Sequence, residues 1–384
     1  MSIRLAHHAH YHHLRMNEMG RVVWAHFVST FGMSLVSVFV PIFLLKSGYT
    51  FSDVMLYLAA LGLFSLPLQL VAAKLVVRIR ANHAMALGIA GKAVFLILLM
   101  TLGSESWPLW LIAMFWAVWR AFYWVAFHIN FSKTRSRKRE GKQVGGAAAL
   151  KTLAGGLAPA IGGIVATSYG IDIAYGLAAG LLVVALVPLL HGQEVSVRRP
   201  VQLRLLHFRK VWRDLFANVS NGITTSSEII MWPILVSFLI PSYAGIGILS
   251  SVVVLSSIAV SLYVGRREGK RGKHRYIREG VFVTTISDVF RLLAQNATHV
   301  FGINLFGGIG NSLYYTPFVT KYYDHADEEP RLEYLTAMEM AHEVAWSLFF
   351  LLAFALSFFL SPATVLLVCI AIATPFNFGI RAIR

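Results

Sequence analysis

From about residue 22 to the end of the chain, long apolar runs alternate with short polar breaks. Stretches such as LVSVFVPIFLL, AVFLILLM and GLLVVALVPLL lie in windows of about twenty residues with few charges, the length a helix needs to cross a hydrocarbon layer. The pattern predicts helical spans at 22–46, 52–73, 82–103, 107–131, 143–167 and 171–190. A polar, basic connection follows at 191–213, then spans at 214–240, 243–264, 279–294, 297–321, 332–357 and 361–380. The ninth is the shortest, and Asp288 and Arg291 interrupt it.

Composition agrees with a membrane-embedded chain. Apolar residues make up 57% and charged residues only 14%, where a soluble domain is about one quarter charged. The net charge of +16 first suggests nucleic acid, but the cations lie in short patches between apolar runs. With the N-terminus inside, 29 of the 34 Lys and Arg fall in inner segments, and Lys46 alone lies in an outer loop. Lys92, Arg120, Lys151 and Arg291 lie within spans. This asymmetry predicts both termini on the cytoplasmic side of the cell membrane and an even number of crossings, twelve. The single cysteine, Cys369, excludes a disulfide framework within one chain. The opening MSIRLAHHAHYHHLRMNEMG has no apolar core and reads as a cytoplasmic tail, not a signal peptide. Its His7, His8, His10, His12 and His13 have no carboxylate or cysteine nearby, so no metal or other cofactor is expected. Asn296-Ala297-Thr298 fits the glycosylation triplet, a weak signal by itself.

Two stretches share an outline. RAFYWVAFHINFSKTRSRKREGKQ at 120–143 and NSLYYTPFVTKYYDHADEEPRL at 311–332 are offset by 191 residues, so that Tyr123 meets Tyr314, Trp124 meets Tyr315 and Phe127 meets Phe318. Each begins near the middle of the fourth span of a six-span half and runs into a charged inner loop. The predicted organisation is therefore a tail at 1–21, a six-helix bundle at 22–190, a linker at 191–213, a second bundle at 214–380 and a short end at 381–384. Two such halves can rock about a cavity at mid-membrane.

On this layout the chain resembles the major facilitator superfamily over about residues 20–380, which implies an all-α protein of two pseudo-symmetric six-helix bundles. The family's basic loop after the second helix appears here as KLVVRIRANH at 74–83, with the basic residues but without Gly and Asp. Its counterpart YVGRREGKRG at 263–272 keeps Gly265, Arg266 and Arg267. GGLAPAIGG at 155–163 resembles the Gly-Pro signature of drug and proton antiporters, with Ala158 where glycine is expected. Physically, the stretch predicts close helix packing and a bend at Pro159.

Ionisable residues inside spans are costly and face a cavity or a partner. Arg120 can hold an anionic solute or pair with a carboxylate on another helix. Tyr123, Trp124 and Phe127 follow it, and their echoes are Tyr314 and Tyr315; cavity wall and ordinary packing both fit. Asn311 takes the place of Arg120 in the second half. Asn221, Thr225 and Glu228 lie at helical spacing and describe one wet face. Glu228 is the leading proton-binding carboxylate, with a salt bridge to a cation of the first half as the alternative. Asp288 and Arg291 can pair locally. Glu339, His342 and Glu343 cluster on one side of span eleven, as a proton relay or as structural partners. Lys151 lies at a matching depth in span five, Lys92 can pair or snorkel, and His26 and His128 read as unremarkable edge residues.

The leading function is thus a secondary transporter of a small organic solute, amphipathic or anionic. Protons are the default coupling ion, the fifth span tilts toward efflux, and a monomer is the working unit. No nucleotide-binding loop is visible to drive it. The alternative is a non-transporting membrane protein, either a sensor or an intramembrane enzyme, and nothing in the sequence points to nucleic acid.

Overall fold

The computed structural model describes residues 18–134, 155–190 and 201–384. Every regular element among them is helical. In chain order these are α1 (Val23–Lys46), α2 (Phe51–Ile79), α3 (Ala81–Met100), α4 (Leu109–Thr134), α5 (Gly155–Ser168), α6 (Ile171–Leu190), α7 (Phe208–Leu239), α8 (Tyr243–Arg271), α9 (Lys273–Arg291), α10 (Ala297–Glu328), α11 (Arg331–Leu356) and α12 (Pro362–Ala382). Helices are the natural solution for such runs, because a backbone in lipid must satisfy its own N–H and C=O groups.

Among the described residues nine helices are long and apolar enough to cross a membrane; α5, α9 and α10 are not among them. Helix α5 counts from Gly155 only, since 143–154 lies outside the described residues or side chains. Helix α9 carries its charges at both ends, and α10 spends apolar positions on Gly, Asn and Tyr. Boundaries shift accordingly. Helix α9 starts at Lys273 rather than 279, α10 continues past 321 to Glu328, and α7 begins at Phe208, inside the expected linker. Asn296 has a structural use that the glycosylation triplet does not suggest. Its side chain caps α10, with Oδ1 accepting the His299 N–H at 2.9 Å. Thr50 and Asp53 form a reciprocal capping box at α2.

Helix pairings recur with six added to each number. α2 packs on α4 and α8 on α10; α3 on α4 and α9 on α10; α3 on α6 and α9 on α12; α1 on α6 and α7 on α12. Between the two sets, α2 packs on α11. Helix α5 meets α8, where Ser251 Oγ accepts the Ala160 N–H at 3.0 Å.

The backbone repeats too. Helix α1 passes through a 3-10 turn at Ser37–Phe39 before Pro41, and α7 passes through a π turn at Ser227–Met231 before Pro233. Both prolines lack the N–H that would close the preceding turn. The α3–α4 and α9–α10 crossings are equally close. A Cβ on Gly88 would stand 2.8 Å from Tyr123 N, and one on Gly280 would stand 2.4 Å from Tyr314 N.

The outer surface is apolar: Leu63, Val71, Ile97, Ile173, Val183, Val187 and Phe306 are all exposed. A surface of this kind suits lipid rather than water.

Candidate functional site

Arg120 sits midway along α4 and Glu343 midway along α11, and they meet although they are 223 positions apart in sequence. Arg120 Nε donates to Glu343 Oε1 at 2.8 Å. Both residues are buried, with Glu343 1% exposed. The guanidinium also lies 4.3 Å from the ring centroid of Trp346, one turn along α11. Trp346 is anchored in turn, its Nε1 donating to Leu58 O of α2 at 2.8 Å. The pair thus joins α4 to α11, with α2 behind it. Glu343 Oε2 is buried and has no hydrogen-bond partner among the described residues. A buried carboxylate oxygen without a partner is a position where a proton or a solute donor can act.

A second polar layer lies along the same two helices. His128 Nδ1 is 2.6 Å from the Tyr323 hydroxyl of α10, and His128 Nε2 is 3.3 Å from Glu339 Oε1 of α11. His26 of α1 lies 2.6 Å from the Tyr123 hydroxyl, with its ring stacked on Phe127 at 4.3 Å. Both edge histidines therefore have tyrosine partners. Trp124 stacks on His128 at 5.6 Å, and Tyr123 and Phe127 lie parallel at 6.0 Å. The aromatic block is a packed stack that holds two histidines. His342, the middle member of the α11 trio, faces α7 beside Gly222. Lys92 is buried with Nζ 3.0 Å from the Trp119 ring centroid; it pairs with an aromatic face and does not snorkel.

The second half holds its own network. Arg291 Nη1 lies 2.8 Å from Asp288 Oδ1, and its Nη2 lies 3.6 Å from Glu228 Oε1. Asn311 Nδ2 donates to Glu228 Oε2 at 2.9 Å and, more weakly, to the Tyr314 hydroxyl at 3.3 Å. Asn377 of α12 donates to Asp288 Oδ2 at 2.7 Å and accepts from Thr224 of α7 at 2.9 Å. Two carboxylates therefore share one guanidinium across α7, α9, α10 and α12. This corrects one expectation: the cation beside Glu228 is Arg291 of the same half, not one from the first half. Glu228 also stands in the π turn, a backbone irregularity that recurs at functional sites.

Other candidates lie around these clusters. Asn221 is buried, and its Oδ1 has no hydrogen-bond partner among the described residues. Thr225 is half-buried on the same helix, Tyr314 is buried and Tyr315 is exposed. The segment 155–163 serves close packing: a Cβ on Gly162 would collide with Leu35 O of α1, and one on Gly247 of α8 with Pro159 O. Lys151 lies outside the described residues.

The chain from residue 22 to residue 349 matches the family model of the Major Facilitator Superfamily. No curated protein matches it.

Proposed function

The chain belongs to the major facilitator superfamily of membrane transporters, and from that premise we propose that it moves a small organic solute by alternating access as a secondary active transporter. The proposed moving parts are two six-helix bundles, 22–190 and 214–380, with the tail, the 191–213 connection and both termini on the cytoplasmic side of the cell membrane. Support comes from the helix pairings that recur at an offset of six and from the prolines that break α1 and α7 alike. The working unit proposed is a single chain.

The observation that carries the mechanism is the Arg120–Glu343 pair. It is a buried arginine–carboxylate contact between helices of different bundles, so it must be loosened when the bundles part at that depth. Protonation of Glu343 removes the charge that holds Arg120, and a solute anion can then take its place on the guanidinium. Trp124 and Phe127, packed edge to face at 5.7 Å, offer an apolar wall for the rest of an amphipathic solute. Within the second bundle, Glu228 and Asp288 share Arg291 and form a place to store a proton that travels with that bundle. Glu339 and His342 extend the polar path along α11. Export is the direction favoured by the antiporter-like segment at 155–163.

The test is transport by purified protein in sealed vesicles with a broad solute panel, with and without a pH gradient. Flux that depends on the gradient and is impaired by Arg120→Gln or Glu228→Gln supports the reading. Unchanged flux and coupling in both variants, with both present in the membrane, overturns the assigned roles.

A further inference from the structure

Gln69 of α2 is a buried amide without a partner. It is 0% exposed, and neither its Nε2 nor its Oε1 has a hydrogen-bond partner among the described residues. Burying an amide with both ends unmet is costly, so such groups are met by protein or by ordered water in nearly every folded chain. The surrounding stretch of α2 is otherwise apolar and carries no charge between Asp53 and Lys74. A leucine would fill the same space without that cost.

The packing of α2 on α11 shows where that amide lies. Ser52 Oγ is 2.8 Å from Ser357 Oγ. Farther along, Trp346 Nε1 donates to Leu58 O at 2.8 Å, and a Cβ on Gly62 would stand 3.2 Å from Glu343 O. The partners on α11 run backward as α2 runs forward, so the two helices are antiparallel. Gln69 is seven residues past Gly62, about two turns on and on the same face. The matching step back from Glu343 passes Glu339 and reaches Thr336. Gln69 therefore stands at the level of Glu339, where His128 Nε2 approaches Glu339 Oε1 at 3.3 Å.

That layer holds a second orphan. Tyr322 of α10 places its ring 5.7 Å from that of His128, and its buried hydroxyl has no hydrogen-bond partner among the described residues. One turn along α11, Glu343 Oε2 is a third. The amide nitrogen and the hydroxyl donate, while the amide oxygen and the carboxylate accept. This mixed set suits water, which both donates and accepts and makes about three hydrogen bonds at a buried site. We infer that Gln69, Tyr322 and Glu343 hold a buried water cluster between the bundles and, resting on the proton-coupled reading above, that this water carries protons between Glu343 and Glu339. In that step the Glu343 carboxyl gives its proton to a water, and the water gives one of its own to the Glu339 carboxylate. The other titratable or charged groups beside the path are His342 on α11, Arg120 and His128 on α4, and Tyr323 on α10.

Two measurements on the full chain test this. Radiolytic hydroxyl-radical labelling reads water held beside buried side chains. Tyr322 should be labelled readily although it is 7% exposed, and Gln69→Leu should reduce that labelling several-fold. Thermal stability of Gln69→Leu should be unchanged or higher, because leucine leaves no amide unmet, and this separates lost water from a lost fold. In sealed vesicles Gln69→Leu should lower proton-driven flux about tenfold, with a smaller fall in gradient-free exchange. Gln69→His, which restores a donor and an acceptor, should recover part of it. Ser65→Ala is the control: Ser65 lies on the same helix and donates to Leu61 O at 2.8 Å, so neither readout should move. An equal fall in Ser65→Ala would show a general disturbance of α2 and overturn the assignment. Protection of Tyr322 in the unsubstituted chain, or labelling that Gln69→Leu leaves unchanged, would overturn the water site. Normal labelling with proton-driven flux untouched by Gln69→Leu would overturn the route. Flux that ignores the pH gradient in the unsubstituted chain would overturn the proton reading and the route together, and the labelling result would still decide the water site.

Discussion

The two buried charge clusters differ in what they tie together. Arg120 and Glu343 join α4 to α11, across the two sets of helices. Glu228, Asp288 and Arg291 join helices of one set only. In the proposed mechanism, a pair across the divide is made and broken as the halves move, so its energy would set the balance between conformations. In the same proposal, a network within one half moves as a unit, so its energy would set what that half carries. Similar chemistry is thus proposed to serve as a latch in one place and as a store in the other. The position matching Arg120 makes the same point: Asn311 stands opposite Arg120 in the repeat, and it donates to Glu228 of the second cluster.

The largest effect expected is at the latch. Arg120→Ala leaves Glu343 buried without its cation, a change that costs about 3–5 kcal/mol. Vesicle transport should fall roughly a hundredfold or more, and the exchange Arg120→Glu with Glu343→Arg should restore part of it. Equal damage in the single and exchanged variants would show that the two residues act separately. At the store the expected effect is selective. Glu228→Gln should abolish the dependence of flux on the pH gradient while solute exchange at zero gradient persists. Loss of both together would merge the two clusters into one function.

The repeat itself gives a smaller, structural test. Gly280→Val should lower thermal stability by about 1–3 kcal/mol through overpacking against Tyr314. Gly88→Val should do so less, because its Cβ meets Tyr123 at the longer distance. The smallest effect is expected at Lys46, which is exposed and donates to Pro241 O at 2.6 Å. Lys46→Ala should change stability by less than about 1 kcal/mol.

Much of this was legible in the residues. The apolar runs locate most of the helices, and the offset of 191 residues marks the repeat at α4 and α10. Arg120 and Glu228 stand out because charges in apolar runs need reasons. Their partners do not stand out, since a contact between positions 120 and 343 depends on how α4 and α11 are placed and leaves no local pattern. The same holds for the histidines: the Tyr123 and Tyr323 hydroxyls beside His26 and His128 leave no local pattern either. Some signals were present but unread. Pro41 and Pro233 are 192 residues apart, as are Gly88 and Gly280, and each pair marks a break or a close crossing that both halves share. The π turn at Glu228 follows from Pro233, yet sequence periodicity does not register one inserted residue.

The central claim is that the Arg120–Glu343 pair holds the two halves together and that releasing it lets them move. Cys369 is the single cysteine and is buried, so Cys369→Ala provides a background for spin labels at Ser47 and Ser242. Both are exposed next to the Lys46–Pro241 contact between the halves. The distance distribution between these labels should shift to a second, longer population when Glu343→Gln is introduced. A single distribution that Glu343→Gln leaves unchanged would contradict the account.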